Sequence, residues 1–234
     1  MKKFVFFVIM LYYCVVQASG QGISDTSFLL RELISPDTYH AVFVTRNKKS
    51  VFYTQLQQHI AIDTNLYNQT IKELRDSLRT PLKRTPQLVI NRDWYSLHQY
   101  KSKYFMYSPS EPYFNTWLRI TDSTVVMNYF NDGVLPAIIK KAAWKDPNTL
   151  AICTISKYDH DNQIIIHFVN KQKGIMVLEF PKRAADNRYI LMVSSSHMKE
   201  YPLIVNYCRT QRVAEWKFDK SDFSGLLESS KPLK

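Results

Sequence analysis

An imidazole and a carboxylate on either side of a short turn are the best candidates for acid–base chemistry in this sequence. His167 lies in one apolar run, Gln172-Lys173-Gly174 forms the turn, and Glu179 lies in the next run. A carboxylate beside an imidazole stabilises the charged ring and orients it for proton transfer. The more ordinary interpretation is a polar pair between two strands, under a helix or at a barrel mouth. We favour that structural role unless the pair opens onto a cavity.

The elements that must position this pair form a predicted β-hairpin. The runs 164–169 and 175–180 are β-branched and aromatic, and a short loop with one glycine separates them. A three-residue loop with Gly174 in the left-handed conformation would set His167 directly opposite Glu179.

Alternation of side chains assigns the two faces of this hairpin. One face is wholly apolar and should belong to the core. The other face is mostly apolar but carries His167 and Glu179, which predicts either the lumen of a barrel or a surface covered by helices. The wholly apolar face comprises Ile164, Ile166, Phe168, Met176, Leu178 and Phe180.

Metal and nucleotide motifs are missing from the sequence, so no metal and no cofactor is predicted. The segment 159–162, Asp-His-Asp-Asn, looks like a ligand cluster, but Asp and Asn suit turns and the segment separates two apolar runs. The histidines form no helical pair of metal ligands. The four glycines that follow residue 20 are far apart, which excludes phosphate-binding loops, dinucleotide fingerprints and the nucleophile elbow; they are Gly22, Gly133, Gly174 and Gly225.

The first twenty residues are predicted to be a signal peptide, because a basic start precedes an apolar stretch and then small residues before Gln21. We therefore expect a secreted or periplasmic protein. No later run approaches the roughly 20 apolar residues of a transmembrane helix. Export favours an oxidising compartment, where Cys153 and Cys208 are a possible disulfide; two separate buried thiols are the equal alternative.

The N-terminal segment 21–86 is predicted to be helical and mixed. Its best helix spans 63–79, because apolar residues recur at helical spacing and Thr80-Pro81 ends it. That helix should pack on the sheet that follows. The residues expected to be buried by it are Ile71, Leu74 and Leu78.

Other elements of this segment are predicted with less definition. Asp25 starts a predicted helix that ends before Pro36, and 39–45 reads as a strand. The stretch 50–62 fits either a helix or two strand ends.

Residues 87–219 are predicted to form an antiparallel β domain, because turn signals recur every ten to fifteen residues. The fold class is therefore mainly β (α+β): a meander closing into a barrel or a sandwich, with one or two amphipathic helices packed against it. Residues 220–234 are predicted to be a polar, loosely held tail. The segment 136–143 fits a short helix or a strand. The predicted strands are 87–91, 94–100, 103–108, 114–121, 124–130, 149–157, 163–169, 175–180, 188–195, 202–209 and 212–218.

In outline, an exported, aromatic-rich β-meander with an amphipathic helix resembles lipocalin-like barrels. The Gly-x-Trp of such proteins is absent before both Trp94 and Trp117. The chain carries a formal net charge of +11, but its Lys and Arg pairs fall at predicted turns. This distribution favours at most weak affinity for polyanions, without specific nucleic-acid recognition.

Two functions compete on this basis. The preferred hypothesis is a non-enzymatic exported binding protein. It would hold a small apolar or amphipathic ligand in a β-lined cavity, or present its sheet to a protein or envelope partner. The alternative is a secreted hydrolase acting on an acidic or carbohydrate substrate through His167 and Glu179. The absence of recognisable catalytic spacing favours the first.

Overall fold

The computed structural model describes residues 25–60, 64–85, 88, 90, 92–111, 115–128, 134–157, 162–208 and 212–229. The predicted signal peptide 1–20 and the first three residues of the predicted turn 159–162 lie outside these residues.

Thirteen strands and three α-helices occur in the described residues. The strands are β1 (Thr26–Ser35), β2 (Thr38–Thr45), β3 (Asp93–Ser96), β4 (His98–Tyr100), β5 (Lys103–Ser108), β6 (Trp117–Ile120), β7 (Thr124–Asn128), β8 (Val134–Asp146), β9 (Thr149–Ile155), β10 (Asn162–Asn170), β11 (Ile175–Glu179), β12 (Tyr189–Ser194) and β13 (Leu203–Cys208). The helices are α1 (Val51–Ile60), α2 (Thr64–Leu78) and α3 (Phe223–Ser229), and short 3₁₀ turns span Ala185–Asn187 and Met198–Glu200.

Eight strands form a closed antiparallel barrel in the order β10-β11-β12-β3-β6-β7-β8-β9. The pairing of β9 with β10 closes it. The mainly β fold is therefore confirmed, with a barrel rather than a simple sandwich. The segment 136–143, which fitted either a helix or a strand, lies inside β8, and the ambiguous 50–62 contains α1.

The interior of the barrel is apolar, as alternation predicts. All six residues of the wholly apolar hairpin face are buried there. The opposite face, with Ile175 and Val177, packs into a second core between the barrel, a second sheet and the helices. The hairpin face that carries His167 and Glu179 is therefore a covered outer face of the barrel and not its lumen.

The second sheet has the strand order β1-β2-β13-β5-β4, and its one parallel pair among the described strands is β13 with β5. The predicted helix from Asp25 is wrong, because this stretch forms β1. Its apolar residues fit helical spacing, but Pro36-Asp37 turns the chain back and sets Phe28 opposite Phe43 on β2. The division between 86 and 87 stays a prediction, although β2 also pairs with β13.

The helix α2 is confirmed, and its residues Ile71 and Leu74 are buried whereas Leu78 is partly exposed. At the C-terminal end, the predicted strand 212–218 is wrong. This segment covers the outer face of the second sheet in irregular conformation, because the side chains of Tyr107 and Asn206 bind its backbone. Within the predicted tail, α3 packs Phe223, Leu226 and Leu227 on the second core.

Candidate functional site: a cavity at one end of the barrel

A cavity of about 740 Å³ opens at the end of the barrel where β7, β9 and β11 finish and β8 and β10 begin. We call this the upper end. The barrel wall contributes the apolar side chains Val125, Met127, Ile164 and Phe180, and α2 contributes Leu74. The cavity is therefore a continuation of the barrel core, walled on one side by a helix.

Side-chain size explains why space remains here. At the opposite, lower end, Trp94 and Phe168 are buried with ring centroids 6.1 Å apart, and Trp144 stacks on Phe168 at 5.6 Å. At the upper end the corresponding lining includes Val125 and Ala137. These small side chains cannot fill a space that aromatic rings fill at the lower end.

On the part of the cavity rim that the structure describes, basic residues outnumber acidic ones. Among the described residues that line it, the charged ones are Lys157, Lys182, Arg183 and Glu73. A turn after β11 fixes the positions of Lys182 and Arg183, since the backbone N–H of Arg183 donates to the carbonyl of Phe180 at 3.0 Å. Glu73 lies on α2 and accepts a hydrogen bond from Gln69 at 2.8 Å.

The predicted contact between His167 and Glu179 is present, with Nε2 and Oε2 2.8 Å apart. The predicted register is wrong by two residues, because Glu179 lies opposite Ile165 and His167 opposite Val177. The loop has four residues instead of three, and the register shifts between Phe168 and Asn170. A shift of two keeps both side chains on one face, so the contact survives as a diagonal pair.

The loop glycine behaves as predicted: Gly174 has φ +61°. A side chain there would also collide with Ser194 and His197, since a Cβ would lie 2.4 Å from Ser194 Oγ. The position therefore requires glycine for both conformation and space.

Glu179 is held on both sides. Arg188 Nε donates to its Oε1 at 3.0 Å, while His167 holds Oε2. Burial alone would raise the pKa of Glu179, but the hydrogen bonds and charges of Arg188 and His167 together lower it. The carboxylate is therefore charged and fully engaged, and neither His167 nor Glu179 lines the cavity. This arrangement suits a structural link between β10, β11 and β12.

Cys153 and Cys208 are both free thiols. Cys153 lies on β9 of the barrel and Cys208 ends β13 of the second sheet. Both side chains are half-buried rather than buried, so neither matches the buried thiol of the second alternative, and the disulfide stays a prediction.

A buried polar network in the second sheet had no sequence signal. His40 Nδ1 lies 2.6 Å from Glu32 and its Nε2 lies 2.8 Å from Asn206 Oδ1. Asn206 in turn donates to Tyr107, whose hydroxyl donates to Glu215. Burial, with the Glu215 contact, raises the pKa of Tyr107 above its usual range. These residues are far apart in the chain, so only the fold brings them together.

The lining residues of the cavity were also missed, although a β-lined cavity was predicted. Lys182 and Arg183 were interpreted as solvated turn residues. The available signal was their position: Phe180 is the last inward residue of the apolar hairpin face, and Pro181-Lys182-Arg183 follows it directly. A basic pair in that position must lie at the barrel mouth.

No family model matches the chain, and neither the curated proteins nor the solved structures contain a significant match. Within the described residues, no three His, Cys, Asp or Glu side chains are grouped as metal ligands. The same residues contain no helix with the length and apolar character needed to cross a bilayer.

Proposed function

We propose that this protein is an exported, non-enzymatic binding protein that holds an apolar or amphipathic ligand in the upper-end cavity. The observation that carries this proposal is the cavity itself. Its volume of about 740 Å³ falls within the roughly 300–1,000 Å³ typical of ligand pockets, and it combines apolar walls with a few polar groups. Export rests on the predicted signal peptide at 1–20.

Packing physics favours a ligand in this space. Apolar side chains that border an open cavity of this size contact water, and an apolar group that displaces this water is favoured by the hydrophobic effect. Met127 and Ile164 are buried by their neighbours yet border the cavity. An apolar group placed against them would remove their remaining apolar surface from water and leave the water-exposed rim to a polar group.

The hydrolase alternative has no comparable support. It would need His167 and Glu179 beside a cleft that admits a substrate. Glu179 is 6% exposed, and its two oxygens are bound by His167 and Arg188. We therefore retain the binding function alone.

Two variants that each replace an alanine of β8 by tryptophan test the proposal. Ala137 lines the cavity and lies opposite the inward-facing Val125, whereas Ala143 is exposed on the same strand. Ala137→Trp would fill part of the cavity, and Ala143→Trp adds the same ring outside it. We expect binding of an environment-sensitive apolar dye to weaken about tenfold or more in the first variant and to stay unchanged in the second, since about 1.4 kcal/mol is tenfold.

Native mass spectrometry of the protein purified from its own source completes this test, because a retained apolar ligand would appear as added mass. Absence of both dye binding and retained ligand would overturn the proposal. So would equal weakening of dye binding by the two tryptophan variants.

A further inference from the structure

We infer that the ligand of the upper-end cavity is a compact alicyclic or fused-ring compound, and that a long alkyl chain is not accommodated there in full. This inference rests on the proposed binding function and adds the shape of the ligand's apolar body. The depth and the width of the cavity decide this shape.

The barrel core closes the cavity from below. Strands β7 to β11 line the cavity, together with the residues that directly follow β9 and β11. On β8, β9, β10 and β11, the next inward-facing residue toward the lower end is buried in the core and at most 2% exposed. We call these four residues the floor, and none of them lines the cavity: Ile139, Ile152, Ile166 and Leu178. The cavity therefore ends at the floor and does not continue through the barrel.

Strand geometry sets the depth of the cavity. On β10, Asn162 and Ile164 line the cavity and Ile166 belongs to the floor. A strand rises about 3.3 Å per residue, so Asn162 lies about 13 Å from Ile166 along β10. Strands of closed barrels are tilted by about 35–45° from the barrel axis, which reduces the depth from mouth to floor to about 10 Å. The lining face of α2, from Thr70 to Ser77, is also about 10 Å long.

A cavity of this volume and depth must also be wide. The volume of about 740 Å³ divided by a depth of about 10 Å gives a mean cross-section of about 74 Å², and hence a width of about 9 Å. Carbon atoms attract each other best at about 3.5–4.0 Å, so a single extended alkyl chain would leave part of this width empty. A ring system can contact opposite walls of the cavity at the same time.

The depth limits the length of a straight chain that the cavity can bury. Carbon–carbon bonds of about 1.5 Å advance an extended chain by about 1.3 Å per carbon, so about eight carbons reach from the mouth to the floor. Methylenes beyond that length stay in water or force the chain to bend, and they add little hydrophobic stabilisation. A ring is compact before it binds, so it loses less conformational freedom on entering the cavity.

A series of straight-chain alcohols measures the depth. The alcohols are 1-butanol, 1-hexanol, 1-octanol, 1-decanol and 1-dodecanol, which are neutral, so charges at the rim have little influence on their order. Their affinities for the full chain are measured below their solubility limits by displacement of an environment-sensitive apolar dye. Affinity should rise about fourfold per methylene up to about eight carbons, and less than about twofold per methylene beyond that length.

A ring and a straight chain of equal carbon number measure the shape directly. Cyclododecanol and 1-dodecanol have the same number of carbons and one hydroxyl group each. We expect cyclododecanol to bind about tenfold tighter, because the ring is buried in the cavity whereas the last methylenes of the straight chain stay in water.

A matched pair of variants on β10 locates the floor. Ile166→Ala removes part of the floor, whereas Ile165→Ala removes the same atoms from the outer face of the strand, where Ile165 lies opposite Glu179. The gain in affinity from 1-octanol to 1-decanol should rise to about tenfold or more in the first, because two more methylenes enter the barrel. It should stay below about fourfold in the second, as in the wild type. Leu178→Ala opens the floor from β11 and replaces Ile166→Ala if that variant does not fold.

The possible results separate the shape of the ligand from binding itself. If affinity rises about fourfold per methylene up to 1-dodecanol, or if 1-dodecanol binds more tightly than cyclododecanol, the compact shape is overturned while cavity binding stands. If Ile166→Ala and Leu178→Ala both keep the chain-length profile of the wild type, the assignment of the floor is overturned. If no alcohol displaces the dye, the proposed binding function itself is overturned.

Discussion

The two ends of the barrel are built from the same alternating pattern but are filled differently. At the lower end, Trp94 is 2% exposed and packs on Phe168, with Trp144 stacked outside them. At the upper end, smaller side chains leave about 740 Å³ open. Alternation thus decides which side chains point inward, whereas side-chain volume decides whether the interior is a core or a pocket.

The largest expected effect concerns the lower end. Replacing Trp94 by Ala should destabilise the protein by about 3–5 kcal/mol, because it removes a large, fully buried side chain and leaves a cavity. Trp144→Ala is the matched control, since Trp144 is 38% exposed. It should cost about 1 kcal/mol, mainly from lost stacking on Phe168. Urea unfolding measures both, and equal losses would show that the lower end is not sealed by Trp94.

A smaller difference in the free energy of unfolding is expected between a substitution in the filled interior and one in the cavity wall. Met192 is fully buried in the barrel core, while Met127 belongs to the same core but lines the cavity. Met192→Ala should cost about 2–5 kcal/mol. Met127→Ala should cost about half as much, because the space it leaves joins the existing opening, which water can enter, instead of forming a new sealed void.

The comparison of the two methionine variants is made by the same unfolding measurement, with the circular dichroism spectrum as the control for fold. Equal losses would mean that the upper end is packed as tightly as the middle of the barrel. The contrast between the two ends would then be wrong.

The inward and outward faces of the 163–180 hairpin were predictable from the sequence, because alternation acts within a few residues and Gly174 marks the turn. Its register was not. The irregularity between Phe168 and Asn170 lengthens the loop to four residues, and no local pattern announces it. The contact of His167 with Glu179 was correct because a two-residue shift preserves the face.

The wrongly predicted elements are those whose conformation depends on contacts with residues far away in the sequence. The residues of β1 have helical spacing, yet their pairing with β2 sets Phe28 opposite Phe43 and decides the strand. The segment 212–218 is rich in strand-forming residues, but Tyr107 and Asn206 bind its backbone in an irregular path. Tertiary contacts overrode local preference in both cases.

Only the general kind of candidate site, a β-lined cavity, was predictable from the sequence. A covered, apolar β-hairpin indicated a β-lined interior, but the cavity depends on how α2 meets the barrel and on the small side chains of β7 and β8. Glu73, Lys157 and Arg183 come from three separate regions of the chain. Their convergence follows from barrel closure, which a single sequence does not specify.

The smallest expected effect concerns two ion pairs on the outer face of the barrel, one at each end. At the upper end, Arg188 and His167 bind Glu179, whose side chain is 8% exposed. At the lower end, Arg119 Nε donates to Asp93 at 2.6 Å, and the Asp93 side chain is 23% exposed. Glu179→Gln should cost about 1–2 kcal/mol at neutral pH, since it weakens charge-assisted hydrogen bonds in a buried position. Asp93→Asn should cost about 1 kcal/mol or less, because the Asp93 carboxylate is more exposed than that of Glu179.

The pH dependence gives the sharper measurement of the Glu179 link. Because the pKa of Glu179 is lowered in the folded protein, its contribution is fully present above the unfolded value of about 4.3 and is lost as pH falls through the folded pKa. The stability gap between wild type and Glu179→Gln should therefore close as pH is lowered from about pH 5, because the wild-type carboxyl then also becomes protonated. Urea unfolding of both proteins across this range measures the gap. A gap that stays constant at low pH would mean that the ionised carboxylate does not stabilise the fold, and that Arg188 and His167 do not tie β10, β11 and β12 together beside the cavity.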